Sequence, residues 1–434
     1  MPQEMAFPLD VDREYSKTID FLYSFDRFGI LLGLDNISSL LAAIGNPQNN
    51  FKSIHVAGSN GKGSTSAFID AILGLSGYST ALYTSPHLND FRERIRISGK
   101  LISKEELIKA TRKIKPVYDR KRTTFFEYTT AIAFDRIAAA KPDLAVIEVG
   151  LGGRLDATNT ITPLVSVITD ISREHEDYLG HGIKAIATEK AGIIKSGVPV
   201  ITGASRHKAR DVILAIAHSL NATVFEFGRT FRGIRKTLDT FDYESRDMSI
   251  KGLRLAMTGA HQMKNASLAI RTAEELINMG YVIPEAAIRE GISTTQFQGR
   301  FELLRESPDV IIDGAHTPEG MRLLKSSLKK LYPYQQPLLL LGILKDKNVE
   351  TLVRTIAPIA RKAVCVAPHS DRSLDPESLC KLVRDSGTPA FPMDSIESGF
   401  SALLEKAGRN DVIVAAGSLY MIGPVRRACG KKDE

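Results

Sequence analysis

Along most of the chain, short apolar runs alternate with longer stretches of helical period. The runs at 53–57, 80–83, 144–149, 164–169 and 198–202 are apolar at nearly every position. Such runs fit strands buried on both faces of a parallel sheet. Between them, apolar residues recur at helical spacing in 15–44 (interrupted at 28–33) and from 66 to about 77. The same spacing recurs in 104–114 behind a capping Ser103, in an Ala-rich 129–140 and in 183–194. Residues 92–97 carry a basic side chain at every second position and predict a further strand. This order predicts an α/β fold with a mainly parallel sheet. Residues 223–257 predict a β-rich meander, and 261–279 and 284–292 predict helices. After a linker at 294–299 the alternation restarts, with strands near 309–313, 338–343, 361–366 and 411–415. Helices are predicted near 318–331, 375–384 and 395–407. The expected domains are 1–295 and a smaller Rossmann-like α/β domain at 296–434.

A chain of 434 residues, 43% apolar and 25% charged, has ordinary globular composition and is too long for one core. No apolar run reaches membrane-spanning length. The first residues show no basic stretch followed by an apolar one, so neither a secretory leader nor a membrane partner is expected. Cys365, Cys380 and Cys429 are widely spaced. They form no metal pattern and no paired framework, and are expected to be reduced thiols in a cytoplasmic protein. The net charge of +7 admits nucleic acid or small anionic substrates. Basic residues are scattered apart from 119–122 and 431–432, with no aromatic-interleaved basic stripe. A solvated mixed-charge surface is the better reading, with no nucleic-acid partner.

The chemistry gathers at strand ends. The run at 53–57 enters Gly58-Ser-Asn-Gly-Lys-Gly-Ser-Thr65, and helical period follows. Backbone N–H groups and the helix dipole make such a turn an anion site. Gly58, Gly61 and Gly63 allow close backbone approach. Lys62 can reach outer phosphates, and Ser64 or Thr65 can face Mg²⁺. The spacing is shorter than the usual G-x-x-x-x-G-K-[ST], so the strand–turn–helix context carries the reading. Ser85 lies just beyond the run at 80–83, in Thr84-Ser-Pro-His-Leu88. Glu148 reads as a satisfied core carboxylate or as a Mg²⁺-holding acid, and the phosphate turn favours the second. The loop at 150–159 leaves that strand end and fits substrate contact. His175 reads equally as structural or as an ion ligand. Lys190 sits on a predicted helix, where most lysines face solvent. Asp313-Gly-Ala-His-Thr-Pro318 ends a strand and opens a helix, so Asp313 and His316 suit ribose and phosphate contacts.

Taken in order, FGILLGLDNI, HVAGSNGKGST, YTSPHL, FRERIRISG, IEVGLGGRLDATN, HEDYLG, EKAGIIK, GAHQMKNA, GRFE and DGAHTP carry a family resemblance. The chain resembles the folylpolyglutamate synthase/dihydrofolate synthase family of the Mur-ligase superfamily over nearly its whole length. The resemblance implies that Gly58, Asn60, Gly61, Lys62, Gly63 and Ser64 wrap the phosphates of ATP. It implies further ATP contacts from Asn265, Arg300 and Asp313, and a His near the phosphates at His316. Ser85, Glu148 and His175 match the family's ligands for Mg²⁺, with two ions expected, and Lys190 matches its carbamylated lysine. A carbamate would turn a cation into an anion beside the metal. Pterin contacts are implied at Gly29, Ile30, Leu31 and Leu32, at Thr124, Phe125, Phe126 and Glu127, and at Leu155, Asp156 and Ala157. Three positions depart from the family pattern: Ser59 for the commoner Thr, Glu174 for Asp before His175, and Thr317 for Asn.

The implied reaction is ATP-dependent amide formation between a pterin or folate carboxylate and L-glutamate, through an acyl phosphate. The first domain would be the ATP-binding Mur-ligase central domain and the second the glutamate-ligase domain, closing over the nucleotide. The expected partners are dihydropteroate or reduced folates and L-glutamate, and the expected state is a monomer. Leu155-Asp156-Ala157 leans towards dihydropteroate use, while first, later or both glutamate additions stay open. One rival is a cell-wall amino-acid ligase, which only about 50 residues before the turn disfavour. Another is a phosphate-loop regulatory ATPase, which would show no glutamate requirement.

Overall fold

The computed structural model describes residues 10–25, 31–119, 123–257 and 259–431. Its contacts divide the chain into two compact units. The first comprises Met1–Gly233, Tyr243–Ile250 and Asn265–Ile292, and the second Ile234–Asp242, Lys251–Lys264 and Ser293–Glu434.

In the first unit, the apolar runs become a sheet. Its strands are β1 (Ser53–Ala57), β2 (Thr80–Tyr83), β3 (Ile95–Ile97), β4 (Lys100–Leu101), β5 (Leu144–Glu148), β6 (Val165–Ile168), β7 (Val200–Thr202) and β8 (Val224–Glu226). The order is β4-β3-β2-β5-β1-β6-β7-β8. β2, β5, β1, β6, β7 and β8 pair in parallel, and β3 and β4 form an antiparallel edge. β1 and β5 are buried at every residue, which explains why neither alternates polar and apolar positions. Register sets the site: Val56 lies beside Glu148, and Ala57 beside Ile168. The carboxyl ends of β5, β1 and β6 therefore finish level with one another, where ligands of open parallel sheets bind.

The Lys62–Leu75 helix packs on β1, β2 and β5. The Phe125–Ala140 helix places Tyr128, Phe134 and Ile137 in a core with Ala145 and Ile147 of β5. A second core joins Ile186, Ile213 and Ala217 to Ile168 and Val200. The sequence pattern missed the His207–Ser219 helix that supplies part of it. The meander contains β9 (Phe231–Arg235), β10 (Thr240–Ser245) and β11 (Ser249–Arg254), in the order β11-β10-β9. β8, at the start of the predicted meander, instead joins the large sheet.

The strand predicted at 92–97 is half wrong. Phe91–Arg94 is a 3₁₀ turn and only Ile95–Ile97 is strand. Asp90 accepts from the Arg92 N–H, while Glu93 accepts from the N–H groups of Leu88, Asn89 and Asp90. These local bonds outcompete the ladder that alternation suggested. Likewise the helix predicted from 129 starts earlier, at Phe125, because Thr124 and Glu127 form a capping box. Ser103 caps the Lys104–Ile114 helix as expected.

In the second unit, β12 (Glu302–Arg305), β13 (Asp309–Asp313), β14 (Leu338–Leu341), β15 (Lys362–Cys365), β16 (Ala390–Pro392) and β17 (Val412–Ala416) form one sheet. Its order is β12-β13-β17-β14-β15-β16, with only β12 antiparallel. Among the described residues no helix is long and apolar enough to cross a membrane.

Candidate active site

β1 delivers the chain into the phosphate turn, and the turn's conformation requires glycine twice. Gly58 has φ +148°, and a Cβ there would lie 1.9 Å from Thr169 Oγ1. Gly61 has φ +86°, and its Cβ would lie 2.4 Å from Asn265 Oδ1. Both are positions where only a hydrogen fits. The turn is pinned from behind by residues just after β6. Thr169 Oγ1 donates to the Asn60 carbonyl at 2.7 Å, and the Ser59 N–H donates to the Asp170 carbonyl at 2.8 Å. Ser59 Oγ and the Ser172 backbone exchange bonds of 3.2 and 3.0 Å, and Asn60 Nδ2 donates to Ser172 Oγ at 3.1 Å. The Lys62–Leu75 helix starts with no side-chain cap. Its first-turn N–H groups and dipole thus face the turn uncapped by protein side chains. The hydroxyls of Thr65 and Ser66 are buried without hydrogen-bond partners. Lys62 Nζ folds over the turn and donates to the Gly58 carbonyl at 2.9 Å.

The same carbonyl is met from the other side by Lys190, at 2.9 Å. Lys190 is only 2% exposed, and its Nζ lies 2.7 Å from Glu174 Oε1. The expectation that a helix lysine faces solvent fails here, because Glu174 compensates the buried charge. Burial would raise the Glu174 carboxyl, but the Lys190 and Lys62 charges outweigh it and hold it at about 2. Burial pulls the Lys190 amine below the ordinary lysine range, with Glu174 opposing and Lys62 adding to the shift. The departure from Asp to Glu before His175 thus supplies the longer arm that pairs with Lys190. Sequence reading noted Glu174 without finding this role.

Glu148 is buried at the end of β5, and its Oε2 accepts from the Ser85 N–H at 3.1 Å. The structure therefore brings Ser85 and Glu148 together. His175 lies in the left-handed region (φ +48°) at the start of the Glu176–Leu179 turn. Among the described residues no group of three or more His, Cys, Asp or Glu is placed to hold an ion. A hydroxyl, a carboxylate and an imidazole are a sparse set. It suits an ion that takes the rest of its oxygens from phosphates and water, as Mg²⁺ does.

The loop after β5 is built on two supports. Gly150 backs onto the Phe126 ring, which a Cβ would overlap at 2.3 Å. Gly153 sits against the carbonyls of Glu189 and Lys190, and the Arg154 N–H donates to the Glu189 carbonyl at 2.7 Å. Asp156 is buried and accepts from the N–H groups of Leu151 (2.8 Å) and Thr158 (2.9 Å) and from the Thr158 hydroxyl. Burial raises its carboxyl. Thr158 Oγ1 also meets Nε2 of His55 at 2.9 Å. His55 is buried within β1, and burial pulls its imidazole down to about 3, so it is neutral. No sequence signal marked the His55–Thr158–Asp156 chain.

Of the remaining pterin candidates, Gly29 and Ile30 lie outside the described residues, while Leu31 and Leu32 are exposed. Ala157 is buried and Leu155 half-buried. Thr124 and Glu127 direct their polar groups to the helix start. Phe125 stacks on Tyr23, and the Arg94 guanidinium lies over its ring. Arg94 Nε donates to His87 Nδ1 at 2.7 Å, which leaves Nε2 as the imidazole N–H, 2.9 Å from the Tyr23 hydroxyl. Burial holds His87 at about 3. Tyr23 and Arg94 join this aromatic corner without having been singled out from sequence.

In the second unit, Asp313 ends β13 and accepts from the N–H groups of Phe301 (2.9 Å) and Ala315 (2.8 Å). Burial raises its carboxyl, with Arg300 opposing. The Arg300 guanidinium crosses Gly314, where a Cβ would meet it at 2.5 Å. His316 Nδ1 donates to the Gly314 carbonyl at 2.8 Å. Arg300 thus lies against the turn that carries Asp313 and His316, while Asn265 lies in the first unit against Gly61. Burial lowers His261, in the second unit, to about 4, helped by Arg300 and Arg235.

Comparison with known proteins places this geometry. The Mur ligase middle domain matches residues 56–273, and the Mur ligase glutamate ligase domain matches residues 299–419. The chain is 35% identical to the folylpolyglutamate synthase of Lacticaseibacillus casei, over 95% of this chain and 98% of that one. It is 32% identical to the dihydrofolate synthase/folylpolyglutamate synthase of Bacillus subtilis, again over 95% and 98%. Among solved structures, Mycobacterium tuberculosis folylpolyglutamate synthase complexed with ADP and AMPPCP superposes with a TM-score of 0.89 at 31% identity, over 97% of this chain and 100% of that one. The Escherichia coli FolC structure in complex with DHPP and ADP gives a TM-score of 0.89 at 28% identity, over 99% of each chain. With the phosphate turn, the strand-end residues and both domains in the expected order, the chain belongs to the folylpolyglutamate synthase/dihydrofolate synthase family of Mur ligases.

Proposed function

We propose that this protein is an ATP-dependent ligase that joins L-glutamate to the carboxylate of a pterin or folate. The observation that carries the reading is the uncapped phosphate turn backed by the buried Lys190–Glu174 pair. Full-length similarity to folate enzymes favours it over a cell-wall ligase or a regulatory ATPase. We further propose residues 1–295 as the ATP-binding domain and 296–434 as the glutamate-ligase domain of a cytoplasmic monomer.

A carboxylate is a poor electrophile, so the reaction needs a leaving group. A carboxylate oxygen of the folate attacks the γ-phosphorus of ATP, the bond to the β-phosphate oxygen breaks, and ADP leaves. The glutamate amine then attacks the acyl carbon of the acyl phosphate. Inorganic phosphate departs and the amine loses a proton. Gly58, Asn60, Gly61, Lys62, Gly63 and Ser64 wrap the phosphates, and Lys62 moves from the Gly58 carbonyl to the outer phosphate. Arg300 and Asp313 serve the nucleotide, and His316 the phosphates, in this reading. The aromatic corner of Phe125 and Tyr23 and the loop at Leu155–Ala157 hold the pterin. Ser85, Glu148 and His175 would hold Mg²⁺, which supplies charge neutralisation on the phosphates.

Carbamate formation at Lys190 would have to displace its ion pair with Glu174, which favours the ammonium. Burial disfavours its ammonium, and a neutral amine can add CO₂, releasing one proton to leave an anionic carbamate. The deciding assay is phosphate release from ATP with dihydropteroate or tetrahydrofolate, each with and without glutamate. Glutamate-dependent release with either acceptor is expected, and release independent of glutamate overturns the ligase reading. Intact-mass measurement under CO₂, with and without a Lys190→Ala change, tests the carbamate.

A further inference from the structure

Ile54, Val56 and Ala57 are the residues expected of a strand buried on both faces, yet between them stands a histidine. His55 is fully buried, and its Nδ1 meets no hydrogen-bond partner. β1 runs between two neighbours, with His55 beside Ile147 of β5 and Ser166 of β6. A valine or isoleucine would fill such a position without burying polar atoms. An imidazole kept here with one nitrogen unpartnered calls for a role other than packing.

Its one hydrogen-bond partner is Thr158, at 2.9 Å. Thr158 Oγ1 carries a single hydrogen and donates it to Asp156 Oδ1 at 2.5 Å. Towards His55 the same hydroxyl must therefore accept. Burial and the Lys195 charge keep the imidazole neutral, so it carries one N–H. That N–H sits on Nε2, and Nδ1 is the bare nitrogen. His55 thus donates to Thr158, and Thr158 donates to Asp156.

The Asp156 carboxylate ties the start of its loop to its end, through the N–H groups of Leu151 and Thr158. The path of the loop has other supports. Asn159 Nδ2 donates to the carbonyls of Arg154 (2.9 Å) and Gly192 (3.1 Å), and the Arg154 N–H is held by Glu189. Removing the imidazole would let Thr158 and Asp156 turn without releasing the loop. The strand that anchors them ends at Ala57, and the phosphate turn starts at Gly58. One rigid strand therefore carries the phosphate turn at its end and, through one side chain, holds the loop at Leu155–Ala157.

We infer that His55 is a positioning residue for the acceptor: through Thr158 it fixes Asp156 and its loop against the strand that carries the phosphate turn, and so sets the affinity for the pterin. The inference rests on the reading above that this loop holds the pterin.

The test uses the full-length protein with His55→Leu, which removes the donor, and His55→Gln, whose amide N–H₂ can stand where Nε2 stands. Thr158→Val and Thr158→Ser repeat the comparison one link further on. Circular dichroism and chemical denaturation identify folded variants. KM and kcat are measured for ATP, dihydropteroate and tetrahydrofolate. For His55→Leu and Thr158→Val, KM for the pterin acceptors is expected to rise roughly tenfold, the worth of one buried hydrogen bond, with KM for ATP changed less than about twofold. His55→Gln and Thr158→Ser should recover most of that loss. His55→Leu/Thr158→Val should be no worse than either single variant, since both break one chain. A merely structural histidine would raise KM for ATP and acceptor alike, or give no rescue by glutamine, and either result overturns the inference. So do unchanged acceptor KM values in folded His55→Leu, or additive losses in the double variant. Wild type that adds glutamate to neither acceptor overturns the ligase reading instead. In that event calorimetric titration with dihydropteroate decides the role of His55, with weaker binding by His55→Leu than by His55→Gln expected and equal binding overturning it.

Discussion

Two strand–turn–helix elements of this protein solve the same local problem in opposite ways. In both, an apolar parallel strand ends in a glycine-containing turn and a 14-residue helix follows. In the first, Gly61 stands at the N-cap with φ +86°, and no side chain caps the Lys62–Leu75 helix. In the second, Thr317 caps the Pro318–Leu331 helix by accepting from the Gly320 N–H, and Pro318 removes a further donor. The Asp313 carboxylate takes one more N–H of that turn, from Ala315, and a second from Phe301 just before β12. One helix start lacks a side-chain cap and suits phosphates; the other is closed by its own side chains and presents a fixed carboxylate. A glycine-containing turn before a helix therefore does not by itself make an anion site. What decides is whether the first-turn donors already have partners.

The contrast can be broken most forcefully at Lys62. Lys62→Ala should lower glutamate-dependent turnover by on the order of 10³-fold with the fold intact by circular dichroism, because it removes a charge aimed at the transferring phosphate. Near-wild-type turnover would remove the phosphate turn from the chemistry. Next in size is Gly58→Ala, which places a methyl 1.9 Å from Thr169 Oγ1. The expected cost is about 2–4 kcal/mol in chemical denaturation, with nucleotide binding lost alongside.

A smaller effect reads the strand behind the turn. His55 is held at about 3 against an ordinary 6.5, so the unfolded chain takes up its proton first as pH falls. Its contribution is complete above about pH 6.5 and is lost progressively as pH drops towards 3, at about 1.4 kcal/mol per pH unit. His55→Gln should flatten the stability–pH curve between pH 6 and 5 by roughly that slope. An unchanged slope would mean that the imidazole is protonated in the fold. The smallest effect sharpens the comparison from the closed side. Thr317→Ala should cost about 1 kcal/mol of stability while leaving kcat nearly unchanged, since the cap holds the helix start and touches no phosphate. A large loss of kcat would show that the hydroxyl itself meets the nucleotide.

Much of the fold was legible because strands buried on both faces leave unbroken apolar runs. β1, β2, β5 and β6 were read almost to the residue, and Ser103 marked its helix start correctly. The short antiparallel β12 and the Val349–Ile356 helix were not read, being too short for the periodicity to show. The turn at Phe91–Arg94 was read as strand because Glu93 looks like any alternating polar residue until its carboxylate is seen taking three N–H groups.

The site divides along the same line. Sequence by itself determined the phosphate turn, the acid at the end of β5 and the order of motifs, because these depend on residue type and on neighbours in the chain. Tertiary structure alone decided what stands behind them. Thr169 makes Gly58 obligatory, Asn265 does the same for Gly61, and Glu174 turns an ordinary helix lysine into a buried partner of the turn. Each of these depends on strand register and on contacts between residues distant in the chain, and burial shifts a charge only once such contacts exist.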